Sequence, residues 1–313
     1  EPMGVVALIT PWNFPIALPA WKLAPALVSG NTVVMKPATL APAMAIEMAK
    51  AFEEAGLPKG VLNVVVGSGK EVGDELATNA AVQALSFTGS HEIGHGIYQQ
   101  LAPRMTRAQM EMGGKNPTIV LADADLDLAA KLVALAGFMM TGQVCTATSR
   151  AIVEESVADE FTEKLVAEAK ARNVGNGMHE GVTMGPAVCA SELESNLDYV
   201  KIAQNEGAEL CWGGERLSDG DLEHGYFMSP AVIGNVKNDM RIAQEEVFGP
   251  VVGVVKAGDF DEAISLANDI EYGLSASIIT RDLNKAMRYT DQIEAGVVKI
   301  NQISTGLALQ APF

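Results

Sequence analysis

Cys145 stands in TGQVCTATSR (141–150), on the junction between a helix-like pattern over 125–140 and a strand-like run over 151–153. A cysteine in such a loop, flanked by Gly142 and small hydroxyl residues, can be approached by a substrate and touched by backbone N–H groups. Both favour the thiolate, the form of cysteine that attacks carbonyls. The competing reading is a small cysteine that packs as a buried hydrophobe. Two other stretches shift the balance toward chemistry: EMGGKNP (111–117), which sets Glu111 beside two glycines, and TPWNFP (10–15), which sets Asn13 between two prolines. Each has a plain explanation when taken alone. Asn13 could simply close a turn, and Glu111 could be a solvated acid at a domain seam.

The elements that must position these residues follow a repeating pattern. GVVALIT (4–10) is a continuous apolar run bounded by Gly and Pro, as expected of a strand buried on both faces. A helix closing at Gly30 follows, with Pro19 and Pro25 expected to shape or interrupt it. A strand over 32–36, a helix stopped by Gly56, the strand VLNVVVG, a third helix, the strand AVQALSFTGS and a fourth helix come next. Strands alternating with helices at this spacing imply βαβ units and a mostly parallel sheet. Ligands of such sheets sit beyond the C-terminal strand ends, where Asn13, Lys36, Gly67 and Gly89 fall.

A second unit begins near Lys115. It holds a strand in NPTIV, Asp123 or Asp125 as a helix N-cap, the strand AIVEE, a helix over 156–172, a loop over 175–186 and a helix around 192–206. The strand AVIGNV, a helix starting in AQEEVFGP, the strand VVGVV, a helix over 261–268, the strand ASIIT, a helix over 283–294 and GVVKINQ complete it. The reading is therefore an α/β chain of two lobes.

Composition narrows the function. The chain has 313 residues, 48% of them hydrophobic and 5% aromatic, which suits helices packed on a buried sheet. A formal charge of −17 argues against nucleic acid or an anionic membrane as partner. Three cysteines without a CxxC pair and four scattered histidines give no metal or disulfide framework. No apolar run reaches membrane-spanning length and no signal peptide precedes the first strand, so a cytoplasmic location is expected.

No clean GxGxxG is present. FTGS (87–90) is more informative, because a strand end, Gly89 and Ser90 as N-cap would turn a helix N-terminus toward a phosphate. PWNFP, KPA, GSG, FTGS, EMGGKNP, GQVC and EEVFGP, in this order, resemble the aldehyde dehydrogenase superfamily across essentially the whole chain. The separation of Glu111 from Cys145 also matches. The resemblance implies a Rossmann-like parallel-sheet cofactor domain over 1–114 and an α/β catalytic domain over 115–313, in a protein that forms a homodimer or homotetramer. It places Glu1 after the family's first cofactor-domain strands and QAPF (310–313) at the start of a stretch that continues further, so both domains read as incomplete at the ends.

The resemblance assigns roles that the chemistry supports. Cys145 would be the nucleophile that forms a thiohemiacetal with an aldehyde. Asn13 and the Cys145 N–H would hold the oxyanion, and Glu111, with room to move beside Gly113 and Gly114, would activate water to hydrolyse the thioester. Lys22 and Trp12 match residues near the thiol and the substrate tunnel. Lys36 would bond the adenosine ribose. Thr39 stands where the family often has a Glu that repels a 2′-phosphate, so NADP should be tolerated or preferred over NAD. Gly67 and Gly89 would allow close approach of the cofactor, Ser90 and Ile93 would meet its pyrophosphate, and Glu246 with Phe248 would meet the nicotinamide ribose and ring.

Among substrates, the semialdehyde branch, particularly α-ketoglutaric semialdehyde, is the closest likeness, with betaine aldehyde and succinic semialdehyde as competitors. A dicarboxylate-type product calls for an Arg near the tunnel mouth. Arg150 follows the nucleophile, and Val144 stands where several semialdehyde enzymes carry Arg. Two other classes compete. A silent nucleotide-binding homologue conflicts with the joint presence of Asn13, Glu111 and Cys145. A cysteine hydrolase lacks a His or Asp at a recognisable partner position.

Overall fold

Apolar runs bounded by Gly and Pro become central strands, and amphipathic runs between them become the covering helices. The computed structural model describes residues 1–306, so QAPF lies outside the described residues. The chain separates into two compact units, Glu1–Gly113 and the residues from Gly114 onward.

The first unit contains β1 (Val5–Ile9), α1 (Ala17–Val28), β2 (Thr32–Lys36), α2 (Pro42–Glu54) and β3 (Leu62–Val64). A π-helical turn (Gly69–Gly73) leads into α3 (Asp74–Thr78), β4 (Val82–Thr88), α4 (His91–Leu101) and β5 (Arg107–Glu111). All five strands are parallel, in the order β3-β2-β1-β4-β5. Alternate residues of β1 feed two cores: Ala7 and Ile9 pack on one face, Val6 and Leu8 on the other. The order turns back between β1 and β4, the kind of switch point beyond which ligands bind in open sheets.

Two features differ from the sequence reading. α1 runs through Pro25 without a break, because Pro25 and Trp21 lie on the helix's exposed side, where the carbonyl lacking an N–H partner can meet water. β5 was not anticipated. Its sequence, RAQME, carries no β-branched residue, and it is a half-covered edge strand whose pairing with β4 comes from the sheet.

The second unit contains β6 (Asn116–Val120), α5 (Leu126–Phe138), β7 (Thr148–Glu154), α6 (Glu155–Lys170), α7 (Ala190–Asn205) and β8 (Glu209–Trp212). β9 (Ala231–Val236), the single-turn helix α8 (Arg241–Gln244), β10 (Val251–Ala257), α9 (Phe260–Asn268), β11 (Ser275–Ile279), α10 (Leu283–Gln292) and β12 (Val297–Ile300) follow. The strand order is β12-β11-β6-β7-β10-β9-β8, parallel except for β8 at one edge. Along β10, Val252 and Val254 pack with Phe138 and Phe161, whereas Val251 and Val255 pack with Phe260 and Tyr289. Both faces of this sheet are therefore buried.

Asp125 caps α5 by accepting the Leu128 N–H at 3.1 Å. Asp123 instead accepts from Thr280 and Arg281. The expected helix start in AQEEVFGP is corrected: α8 ends at Gln244 and Glu245 is already extended. EEVFGP is an irregular segment ahead of β10, with Phe248 in the left-handed region at φ 54°. Among the described residues, no helix is long and apolar enough to cross a membrane.

Candidate active site

In the first unit, the singled-out residues gather at the C-terminal ends of the parallel strands. Trp12 and Asn13 occupy the bend after β1, half-buried, and the Asn13 Oδ1 accepts the N–H of Phe14 at 3.2 Å. Lys36 ends β2. It is only 5% exposed, its Nζ donates to the Pro37 carbonyl at 3.3 Å, and burial holds its pKa below the ordinary lysine value. Thr39 donates its hydroxyl to the Gly67 carbonyl at 3.3 Å, which joins the loop after β2 to the loop after β3. Ser90 occupies the cap position of α4 but makes no side-chain cap bond there, and Ile93 in the first turn is exposed. At Gly89 a Cβ would come within 2.5 Å of the Phe87 ring, so glycine is needed where β4 turns into the helix.

These features fit a dinucleotide. A helix N-terminus after β4 offers N–H groups and a positive dipole end to phosphate, and a partly desolvated ammonium, Lys36, stands at the end of β2, two strands away in the sheet. No carboxylate occupies position 39 to oppose a 2′-phosphate.

A polar chain supports Glu111. Lys22 reaches from α1 and donates to the Ser86 hydroxyl at 2.7 Å and to the Gln109 Oε1 at 3.0 Å. Gln109 in turn donates its amide N–H to Glu111 at 2.7 Å. Burial lowers the Lys22 pKa to about 8, with Glu111 acting in the opposite direction. Burial raises the Glu111 pKa, against the Gln109 hydrogen bond and the Lys22 charge. Sequence reasoning found Glu111 and Lys22 but missed Gln109 and Ser86. The sequence carried no signal for them: Gln109 falls on the same side as Glu111 only once RAQME pairs with β4 as a strand.

In the second unit, Cys145 lies half-buried in a tight turn closed by the Ala147 N–H donating to the Val144 carbonyl at 2.9 Å. The approach to it is unusual: Met140, Thr141 and Gly142 are all left-handed, with φ of 48°, 61° and 67°. A Cβ on Gly142 would lie 2.1 Å from the Gly249 carbonyl oxygen, so the GQVC and EEVFGP segments can touch only through glycine. Gln143 ties the loop outward, donating to the Met140 and Pro186 carbonyls and accepting the Val188 N–H at 2.8 Å.

Glu246 accepts the Gly114 N–H at 3.1 Å, and burial raises its pKa to about 7. Lys115 is fully buried, and its Nζ has no hydrogen-bond partner among the described residues. Desolvation brings its pKa to about 7, the Arg150 charge adding to that and the Glu246 and Glu245 charges opposing it. Arg150 does not serve as a substrate arginine. It is completely buried, and its guanidinium donates to the carbonyls of Lys115, Leu266 and Ala267 and to Asn238, which locks β7 to the segments around it. Val144 is buried as well.

An Aldehyde dehydrogenase family model matches residues 1–313. The chain belongs to the aldehyde dehydrogenase family. It is 55% identical to the alpha-ketoglutarate semialdehyde dehydrogenase of Haloferax volcanii, the match covering 100% of this chain and 64% of that protein. It is 48% identical to the alpha-ketoglutaric semialdehyde dehydrogenase of Bacillus subtilis, again over 100% of this chain and 64% of the relative. The betaine aldehyde dehydrogenase of Staphylococcus aureus, solved in complex with NAD+, superposes with a TM-score of 0.97 at 42% identity, over 100% of this chain and 62% of that one. The chain thus spans just under two thirds of the relatives it matches.

Proposed function

We propose that this aldehyde dehydrogenase family chain carries the nucleophile, base and cofactor residues of an enzyme that oxidises an aldehyde to a carboxylate with NAD+ or NADP+. The aldehyde is a semialdehyde of the α-ketoglutaric type, in keeping with relatives of that name that are 55% and 48% identical to this chain. The observation that carries the reading is the Lys22–Gln109–Glu111 chain. A carboxylate held by a neutral amide and raised by burial takes a proton more readily than an ordinary glutamate, as a general base requires.

Cys145 adds its sulfur to the aldehyde carbon, and the carbonyl electron pair moves onto oxygen. Asn13 and the Cys145 N–H donate to that oxyanion. Lys36, Thr39, Gly67, Gly89, Ser90 and Ile93 would hold the adenosine and pyrophosphate end of the dinucleotide, with Glu246, Phe248 and Trp12 toward its nicotinamide, which would supply a hydride acceptor when bound. Glu111 then takes a proton from water as its oxygen adds to the Cys145 thioester, and the cysteine sulfur leaves. Lys22 sets the charge around Glu111 through Gln109. The reading carries with it a cytoplasmic protein that assembles as a homodimer or homotetramer.

The test is nicotinamide reduction, followed by absorbance with α-ketoglutaric semialdehyde and a panel of other aldehydes. Reduction that disappears in Cys145→Ala supports the reading. Reduction that persists in that variant, or none with any aldehyde and either cofactor, sinks it.

A further inference from the structure

Every carbonyl of the turn that carries Cys145 accepts a hydrogen bond from a named donor. The Val144 carbonyl accepts the Ala147 N–H at 2.9 Å, closing the turn. The carbonyls of Cys145 and Ala147 both accept from the Asn116 side-chain amide, at 2.8 and 2.9 Å. The Thr146 carbonyl between them accepts from the Ser304 hydroxyl at 2.7 Å. Asn116 is itself 2% exposed and fixed at its other end, where its Oδ1 accepts the Ser275 N–H at 3.1 Å. Ser304 is fully buried, shares a hydrogen bond with Thr148 at 2.8 Å, and gives its carbonyl to the Ser275 hydroxyl at 2.7 Å.

The consequence follows from peptide geometry. A trans peptide is planar, with its N–H opposed to its C=O. Holding the turn's carbonyls therefore also fixes the direction of its N–H groups. The Cys145 N–H belongs to the peptide whose carbonyl closes the turn, so its direction depends on the turn keeping its shape. Gly114 protects this arrangement: a Cβ there would lie 2.6 Å from the Asn116 Oδ1 and 2.9 Å from the Cys145 carbonyl oxygen.

We propose that Asn116, whose amide bridges the Cys145 and Ala147 carbonyls, is a positioning residue that orients the nucleophile turn so that its N–H groups meet the oxyanion formed on the Cys145 adduct. The proposal rests on the reading of Cys145 as the nucleophile. It makes Asn116 specific to reactions that pass through a tetrahedral oxyanion and indifferent to those that do not. Acylation of Cys145 by p-nitrophenyl acetate needs the oxyanion: the sulfur bonds to the acetyl carbon, charge builds on oxygen, and p-nitrophenolate leaves. Alkylation by iodoacetamide does not, because the sulfur displaces iodide at a saturated carbon.

The experiment measures both rates on Cys145 in the wild-type chain, in Asn116→Asp and in Asn116→Ser. Each is followed across pH, so that rates are compared at the fully ionised thiol plateau. Asp matches Asn in shape and can still accept from Ser275, but as a carboxylate it cannot donate to either turn carbonyl. Ser retains a single donor. The expected result is acylation slowed about 10- to 100-fold in Asn116→Asp and less in Asn116→Ser, with plateau alkylation within about threefold of wild type. Parallel loss of both reactions would mean a merely structural residue and would overturn the proposal, as would acylation that is unchanged in both variants. A selective loss of acylation in a wild-type background that reduces neither cofactor with any aldehyde would leave Asn116 in this role and count against the dehydrogenase reading alone.

Discussion

The two units hold the proposed base and the proposed nucleophile in opposite ways. In the first, the groups are ionisable and are tuned by burial: Lys22 is brought to about 8, while Glu111 is raised and joined to it through the neutral Gln109. In the second, the nucleophile turn is held by neutral donors, Asn116 and Ser304, and by a left-handed approach that only Gly142 can complete. The difference tracks what each group must do. A base needs an adjusted proton affinity, which desolvation supplies. A thiol that must meet backbone N–H groups needs a fixed peptide orientation, which hydrogen bonds and sterics supply without adding charge.

The comparison is tested most severely by Glu111→Gln, which removes the tuned charge while keeping the shape. Steady turnover should fall about 100- to 1,000-fold. The wild-type rate should rise with pH as Glu111 loses its proton, at a pH above the ordinary glutamate range, and this limb should be missing in the variant. Stability should move the other way. Because the folded-state pKa is raised, the unfolded chain loses this proton first, and wild-type stability declines as pH rises from the unfolded value through the folded one. Glu111→Gln should therefore be more stable than wild type at neutral pH and equal to it in acid, read by urea midpoints at each pH. A variant that keeps the pH limb would break the contrast between the units.

Gly142→Ala probes the steric side of the second unit. A left-handed backbone and a Cβ 2.1 Å from the Gly249 carbonyl oxygen should cost ~3 kcal/mol or more in denaturant unfolding. A loss below ~1 kcal/mol would show that the approach to Cys145 can relax. The smallest effect is expected at Thr39→Glu. A carboxylate there should repel a 2′-phosphate and move the NADP-to-NAD ratio of kcat/KM about tenfold toward NAD. An unchanged ratio would remove position 39 from cofactor selection.

Much of this was legible in the sequence. Gly- and Pro-bounded apolar runs mark the central strands, and Asn13, Lys36, Gly67 and Gly89 fall at their C-terminal ends because turn residues follow each run. β5 was not legible, since RAQME becomes a strand only through pairing with β4. Arg150 read as a candidate for substrate contact because sequence shows adjacency to Cys145 and not direction. In β7 it points inward to backbone carbonyls distant in the chain. Gln109 and Asn116 escaped for a related reason. Each neighbours a recognised residue, yet its work lies in partners far along the chain: Lys22 for one, Cys145 and Ala147 for the other. Long-range polar satisfaction leaves no local signature.

The central claim is that Cys145 carries the acyl group and Glu111 releases it. Intact-mass and peptide analysis of Glu111→Gln, after incubation with α-ketoglutaric semialdehyde and NAD+ or NADP+, tests it directly. The account predicts one equivalent of reduced cofactor together with an acyl adduct on Cys145 that persists long enough to be mapped. Cofactor reduction with Cys145 left unmodified, or an adduct on Cys189 or Cys211 instead, would contradict it.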